Sequence, residues 1–180
     1  FAVVKRAPER LAVSIARIPG VKAVDTRIVR DVTLDIAGLD EPAVGRLISI
    51  PERGSPGLNT LAMRAGRSVS PGRPDEVVIS EAFADAHDFT PGDHFRATIN
   101  GHRRQLDIVG VALSPEYVYS LSPGALLPDD KRYGVMWMGH EALAASFDLV
   151  GAFNDVSLTL LRNASLTEVI ARLDDLLEPY

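Results

Sequence analysis

The sequence predicts an α+β protein, a split ferredoxin-like layer of strands and helices carrying an inserted β-rich unit. Three observations predict it. Residues 1–36 and 133–161 each read strand–helix–strand, with apolar residues at period two and then at helical spacing. Residues 51–74 and 114–132 are dense in proline and glycine, which breaks regular structure and marks boundaries. Between them, Glu76 to Leu113 packs strand, helix, turn and hairpin signals into one run. The expected division is therefore 1–50 with 133–180 as the layer, and 51–132 as the insert with one short helix.

Taken in order, Phe1 to Lys5 is a short apolar strand. Pro8 suits a first helical position, where a missing N–H costs nothing. Leu11, Ile15 and Ile18 then mark one face of a helix that Pro19-Gly20 ends. Val21 to Ile36 is extended, and Val32, Leu34 and Ile36 alternate with Thr33 and Asp35. The alternation fails around Arg27 to Arg30, which predicts a bulge or a break into two strands. Val44 to Ile50 is a strand, and the following loop holds a short strand near Leu61.

Val77 to Ile79 is a strand, and Ser80 is placed to cap the helix that carries Phe83 and His87 on one face. Thr90-Pro91-Gly92-Asp93 has the residues of a type II turn. Asn100-Gly101 supplies the positive φ angles of a type I′ hairpin. That turn sets Ile99 opposite His102, Ala97 opposite Arg104 and Phe95 opposite Leu106, with a buried base and a wet tip. Leu106 to Val111 continues as a buried strand.

Tyr133 to Met138 is a strand leading to a short helix from His140, with Leu143 and Phe147 on one face. In Asp155 to Leu160, the residues Val156, Leu158 and Leu160 face inward against Asp155, Ser157 and Thr159. Ser165 and Glu168 form a capping box. Val169, Ile170, Leu173, Leu176 and Leu177 then give a wide apolar stripe.

A 46% hydrophobic and 24% charged composition argues against disorder. A net charge of −5 leaves no basic footprint for nucleic acid or for an acidic membrane surface. With no cysteine, disulfides and thiolate chemistry are excluded, whatever the compartment. No apolar run approaches the roughly 20 residues of a membrane helix. The chain opens inside a strand pattern without methionine, so it is expected to be cut from a longer protein whose membrane segments lie outside it.

The residues carry no evident catalytic chemistry. His87, His94, His102 and His140 show no helical i, i+4 pair, so neither a metal nor another cofactor is predicted. Gly66-Arg67-Ser68-Val69-Ser70 lacks the second glycine of a nucleophile elbow, and no glycine-rich phosphate loop is present. Asp129-Asp130-Lys131-Arg132 reads as a solvated turn with local charge pairing. Asn163-Ala164-Ser165 matches a glycosylation sequon, but Ser165 already serves as a cap. Tyr117, Tyr119 and Trp137 are candidates to contact a ligand or partner. The competing account is that aromatics beside a strand form core or a subdomain interface.

Gly66-Arg67, Pro71-Gly72, Glu76-Val-Val-Ile-Ser-Glu81, Pro91-Gly92-Asp93 before a hairpin, and Ile108-Val-Gly-Val111 occur in that order. With Ile18-Pro19-Gly20-Val21, Ser114 to Tyr119 and Pro128-Asp129-Asp130, this series resembles the extracytoplasmic domain of MacB/FtsX-type ABC transporter permeases. The resemblance spans nearly the whole chain. It implies a porter-like split βαβ subdomain with a β-rich insert, held outside the bacterial inner membrane by transmembrane helices of the parent chain. It also implies a cytoplasmic ABC ATPase as partner, a permease dimer and a periplasmic cargo or protein partner. No catalytic residue carries over. Two other readings compete: a soluble small-ligand-binding sensor module with a pocket near Tyr117, Tyr119 and Trp137, and a small hydrolase.

Overall fold

The computed structural model describes residues 1–54, 56–117 and 129–180. Ten strands and four helices form two sheets among these residues. The small sheet contains β1 (Ala2–Pro8), β2 (Val21–Arg27) and β10 (Ala152–Leu160) in the order β1-β10-β2. β10 is antiparallel to both neighbours, so β1 and β2 run parallel on either side of it. Helices α1 (Leu11–Ala16) and α4 (Leu166–Leu177) pack Ile15, Val169, Leu173 and Leu177 against Phe153 and Val156 of β10.

The second sheet comprises β3 (Val29–Asp35), β4 (Ala43–Ile50), β5 (Ala62–Gly66), β6 (Glu76–Ser80), β7 (His94–Ile99), β8 (His102–Leu113) and β9 (Tyr133–Gly139). Its order is β5-β8-β6-β9-β4-β3-β7, and β7 also pairs with β8. Six strands therefore close into a barrel, and β5 lies outside it on β8. Closure removes the free edges that an open sheet of this size would present. The 12-residue β8 allows this, because its first half pairs with β7 and its second with β6 and β5.

Alternate residues of every barrel strand meet in one core, including Leu34, Leu47, Ile79, Phe95, Leu106 and Met136. Helices α2 (Glu81–His87) and α3 (His140–Ser146) add Phe83 and Leu143 to it. Each such side chain stabilises the fold by about 1.5–3 kcal/mol when fully buried.

The hairpin follows the expected register pair by pair, with Asn100 at φ 47° and Gly101 at φ 80°. Its tip is drier than expected, since Ile99 points into the barrel and is buried. Val21 to Ile36 is two strands, and they break at Ile28 to enter different sheets. Pro8 closes β1 rather than opening a helix; α1 begins three residues later. Ser80 occupies the N-cap position of α2 without a side-chain cap hydrogen bond. Ser165 does cap α4, its Oγ accepting from the Glu168 N–H.

Sheet membership departs from the expected division at both ends. β3, β4 and β9, assigned above to the layer, pair in the barrel, and α3 packs there too. The small sheet draws on residues 2–27 and 152–160 alone. The cause is local continuity: one residue separates β2 from β3, and β4 pairs in parallel with β9, both strands being buried on both faces from Leu47 to Ile50 and along Tyr133–Gly139. Strands of that kind carry no alternation to show which sheet they join.

Candidate functional site at the junction of the two sheets

Two places hold the candidate residues and the most buried charges: the outside of the barrel, where Tyr117 and Trp137 lie, and the crossing between the sheets. On the barrel exterior Trp137 of β9 is 3% exposed, packed with Ile48, Val78, Tyr133 and Val135. Tyr117 lies on the same cluster, partly buried. Burial, chiefly, pushes its phenol above the ordinary tyrosine pKa. The structure thus places Tyr117 and Trp137 in one hydrophobic cluster, while Tyr119 lies outside the described residues. Among the described residues, the open concavities by β1 and α4, by His87 and Phe89, by Leu39 and Thr98, and by Ser70 and Glu141 are lined by neither Tyr117 nor Trp137.

The histidines are dispersed. His87 stacks edge-on against Phe83 and its Nε2 lies 2.9 Å from the Lys131 carbonyl, while His140 Nδ1 is 3.2 Å from Ser49 Oγ. No group of metal-ligating side chains assembles among the described residues. The Asp129 to Arg132 segment is a turn in which the Asp129 carboxylate accepts from the Lys131 and Arg132 N–H groups.

Four of the ordered motifs, Gly66-Arg67, the one opening at Glu76, Pro91-Gly92 and Ile108 to Val111, meet in one place. β8 bulges at Val109, since Val77 pairs with Ile108 and Val78 with Gly110. The Val109 carbonyl accepts from the Arg67 N–H, and the Gly92 N–H donates to the Ile108 carbonyl. Gly66, at φ 69°, lies against Gly110 and Pro91 so closely that a Cβ would collide with the Val109 carbonyl. Arg67 grips Glu76 through Nη2 and Nη1 at 2.6 and 2.8 Å, and the Ser70 N–H donates to the same carboxylate. That Arg67 contact, chiefly, holds the Glu76 carboxyl below its ordinary pKa. These residues lock β5, β6 and the turn before β7 onto β8, a structural role.

The junction itself is built on Arg27, the last residue of β2. Asp155 stands opposite it on β10, in register, so both side chains emerge from one face of the small sheet. Arg27 Nε and Nη2 donate to Asp155 Oδ1 at 2.9 and 2.5 Å. Nη1 and Nη2 donate to Glu116 at 2.5 and 3.0 Å, and Asn59 Nδ2 donates to Glu116 Oε2 at 2.8 Å. The Arg27 and Glu116 side chains are 7% and 12% exposed. Burial opposes the Arg27 charge, but its hydrogen bonds and charge partners outweigh that and raise its pKa. Asp155 and Asp25 are raised above the ordinary aspartate value, by burial first, with Arg27 opposing.

Beside this cluster the chain crosses between the sheets twice. At Ile28 the backbone N–H donates to Ser49 Oγ, and its carbonyl accepts from the Ser49 N–H. The Asn154 side-chain amide bonds both the N–H and the carbonyl of Val29 at 2.8 Å. Sequence reasoning missed this site. Its one trace was the failure of alternation that begins at Arg27.

No family model and no curated protein matches the chain. Solved structures do. The extracellular domain of the noncanonic ABC-type transporter YknZ from Gram-positive bacteria matches with TM-score 0.57 at 18% identity, covering 97% of this chain and 83% of that one. The periplasmic region of MacB from Actinobacillus actinomycetemcomitans matches with TM-score 0.53 at 14% identity, covering 96% and 73%. A domain of a protein described as a permease, from Porphyromonas gingivalis, matches with TM-score 0.53 at 14% identity, covering 99% and 71%. This chain has the mixed α/β fold of the extracytoplasmic domains of MacB-like ABC transporter permeases.

Proposed function

We propose that the chain is the extracytoplasmic domain of an inner-membrane ABC transporter permease, without catalytic activity of its own, that couples ATP-driven motion to a periplasmic cargo or partner. The observation that carries this is the match to three transporter or permease domains over 96% or more of the chain. The small sheet, with β10 between parallel β1 and β2, supports reading it as the porter-like split βαβ subdomain, and the barrel as its β-rich insert. The division then falls at 1–27 with 152–180 against 29–146. No helix among the described residues is long and apolar enough to cross a membrane, so any span belongs to other parts of the parent. That parent pairs with a cytoplasmic ABC ATPase and works as a permease dimer.

The test is affinity purification of the complete protein from detergent-solubilised membranes. An ABC ATPase recovered in constant ratio supports the reading. Recovery from the soluble fraction without an ATPase, together with a ligand that raises the melting temperature, supports the small-ligand sensor instead.

A further inference from the structure

The two bodies are joined by two chain crossings that lie side by side. One is Arg27-Ile28-Val29; the other runs from α3 through Leu149 and Gly151 into β10. They are tied together by the Asn154 amide on Val29 and by the Arg27–Asp155 register pair. Two adjacent crossings define an axis, and by themselves they leave rotation about it free, which is the anatomy of a hinge. A third attachment, to a part of the barrel side that neither crossing includes, restrains the rotation.

Arg27 and Glu116 supply such an attachment. Glu116 follows β8, far from either crossing in the chain, and its Oε2 is held by Asn59 from the loop before β5. Among the described residues this is the one ion pair between a small-sheet residue and a barrel-side residue. Arg30 of β3 also reaches β1, but its Nη2 contact to the Lys5 carbonyl is 3.4 Å long and exposed. One guanidinium therefore holds a carboxylate of each body, in a place dry enough for salt to screen it little.

We propose that Arg27 is a latch: by gripping Asp155 of the small sheet and Glu116 of the barrel side together, it fixes the angle between them, and loss of the Glu116 contact frees the hinge. This stands on the junction geometry and does not depend on the transporter reading. A charged latch suits a two-position joint, because its donors and acceptors fit one angle and become unpaired at others.

The absence of cysteine allows paired spin labels at introduced cysteines without background. Exposed Arg172 on α4 and Thr98 on β7 report the angle between the bodies; Thr98 with exposed Met63 on β5 reports the barrel alone. Glu116→Gln removes the charge and keeps the shape; Asn59→Ala weakens the hold on Glu116 more gently. With either change, the Arg172–Thr98 distance distribution is expected to lose its single narrow peak while the Thr98–Met63 distribution stays as it was. An unchanged Arg172–Thr98 distribution in both variants overturns the latch. Broadening of both label pairs also overturns it, because the cluster would then hold the barrel together rather than set a joint.

Discussion

Replacing Arg27 by methionine keeps length and apolar stem but removes the guanidinium from between Asp155 and Glu116. Were this an exposed ion pair, the loss would be about 0–1 kcal/mol. Asp155 is 7% exposed and Glu116 nearly as dry, so both carboxylates are left buried without a cation. The expected cost is about 3–5 kcal/mol, a large part of the ~5–15 kcal/mol that holds a typical domain. The penalty depends on pH. Asp25 and Asp155 bind protons more readily folded than unfolded, and Arg27 is the group that opposes this. Without it their folded pKa values rise further. A raised acid destabilises the fold well above its folded pKa, and the effect fades as pH falls toward the ordinary aspartate value. The Arg27→Met penalty should therefore be larger at about pH 7 than at about pH 5. Urea denaturation of both proteins at the two pH values measures it. A penalty under about 1 kcal/mol, or one that grows as pH falls, refutes the reasoning.

Other outcomes follow from single contacts. A Cβ at Gly134 would lie 2.6 Å from the Phe83 ring, so Gly134→Ala should destabilise the barrel by about 1–3 kcal/mol in chemical denaturation. Ser165→Ala removes the Oγ that accepts from the Glu168 N–H and should cost about 1 kcal/mol. Ile170 is 48% exposed on the outer side of α4, so Ile170→Lys should change stability by less than about 0.5 kcal/mol; a loss of several kcal/mol would mean that α4 is packed differently. Trp137→Ala should cost about 3–5 kcal/mol, read as a lowered denaturation midpoint, because Trp137 fills the cluster outside the barrel.

How much was legible depended on whether the signal was local. The 94–106 hairpin was readable to the residue because a two-residue turn fixes register, and Asn-Gly names the turn. The Ser165 cap of α4 was readable because its signal is local too, and of the expected capping box the structure shows the Ser165 Oγ accepting from the Glu168 N–H. The change of sheet at Ile28 was not: alternation failed there, but nothing in a strand says which neighbour it will take. Asp155 and Ser157 looked like the wet side of β10, yet both are buried, Asp155 under the Arg27 guanidinium that Glu116 also holds. Ile170 was counted in the stripe of α4 but faces out, since the helix buries the narrower face of Val169, Leu173 and Leu177. The ordered motifs signalled the fold and hid their reason, which is the packing of Gly66, Arg67, Pro91 and Gly92 around the β8 bulge. The Arg27 cluster joins residues at positions 27, 59, 116 and 155, a spacing that no sequence pattern connects.

The central claim is that this domain sits outside the cytoplasmic membrane on a permease. Protease treatment of intact spheroplasts that express the complete protein tests it most directly. The account predicts a membrane-bound parent cleaved within residues 1–180 from outside, with its cytoplasmic partner ATPase untouched until the cells are lysed. A parent that fractionates with the cytosol, or whose domain resists protease until lysis, contradicts it.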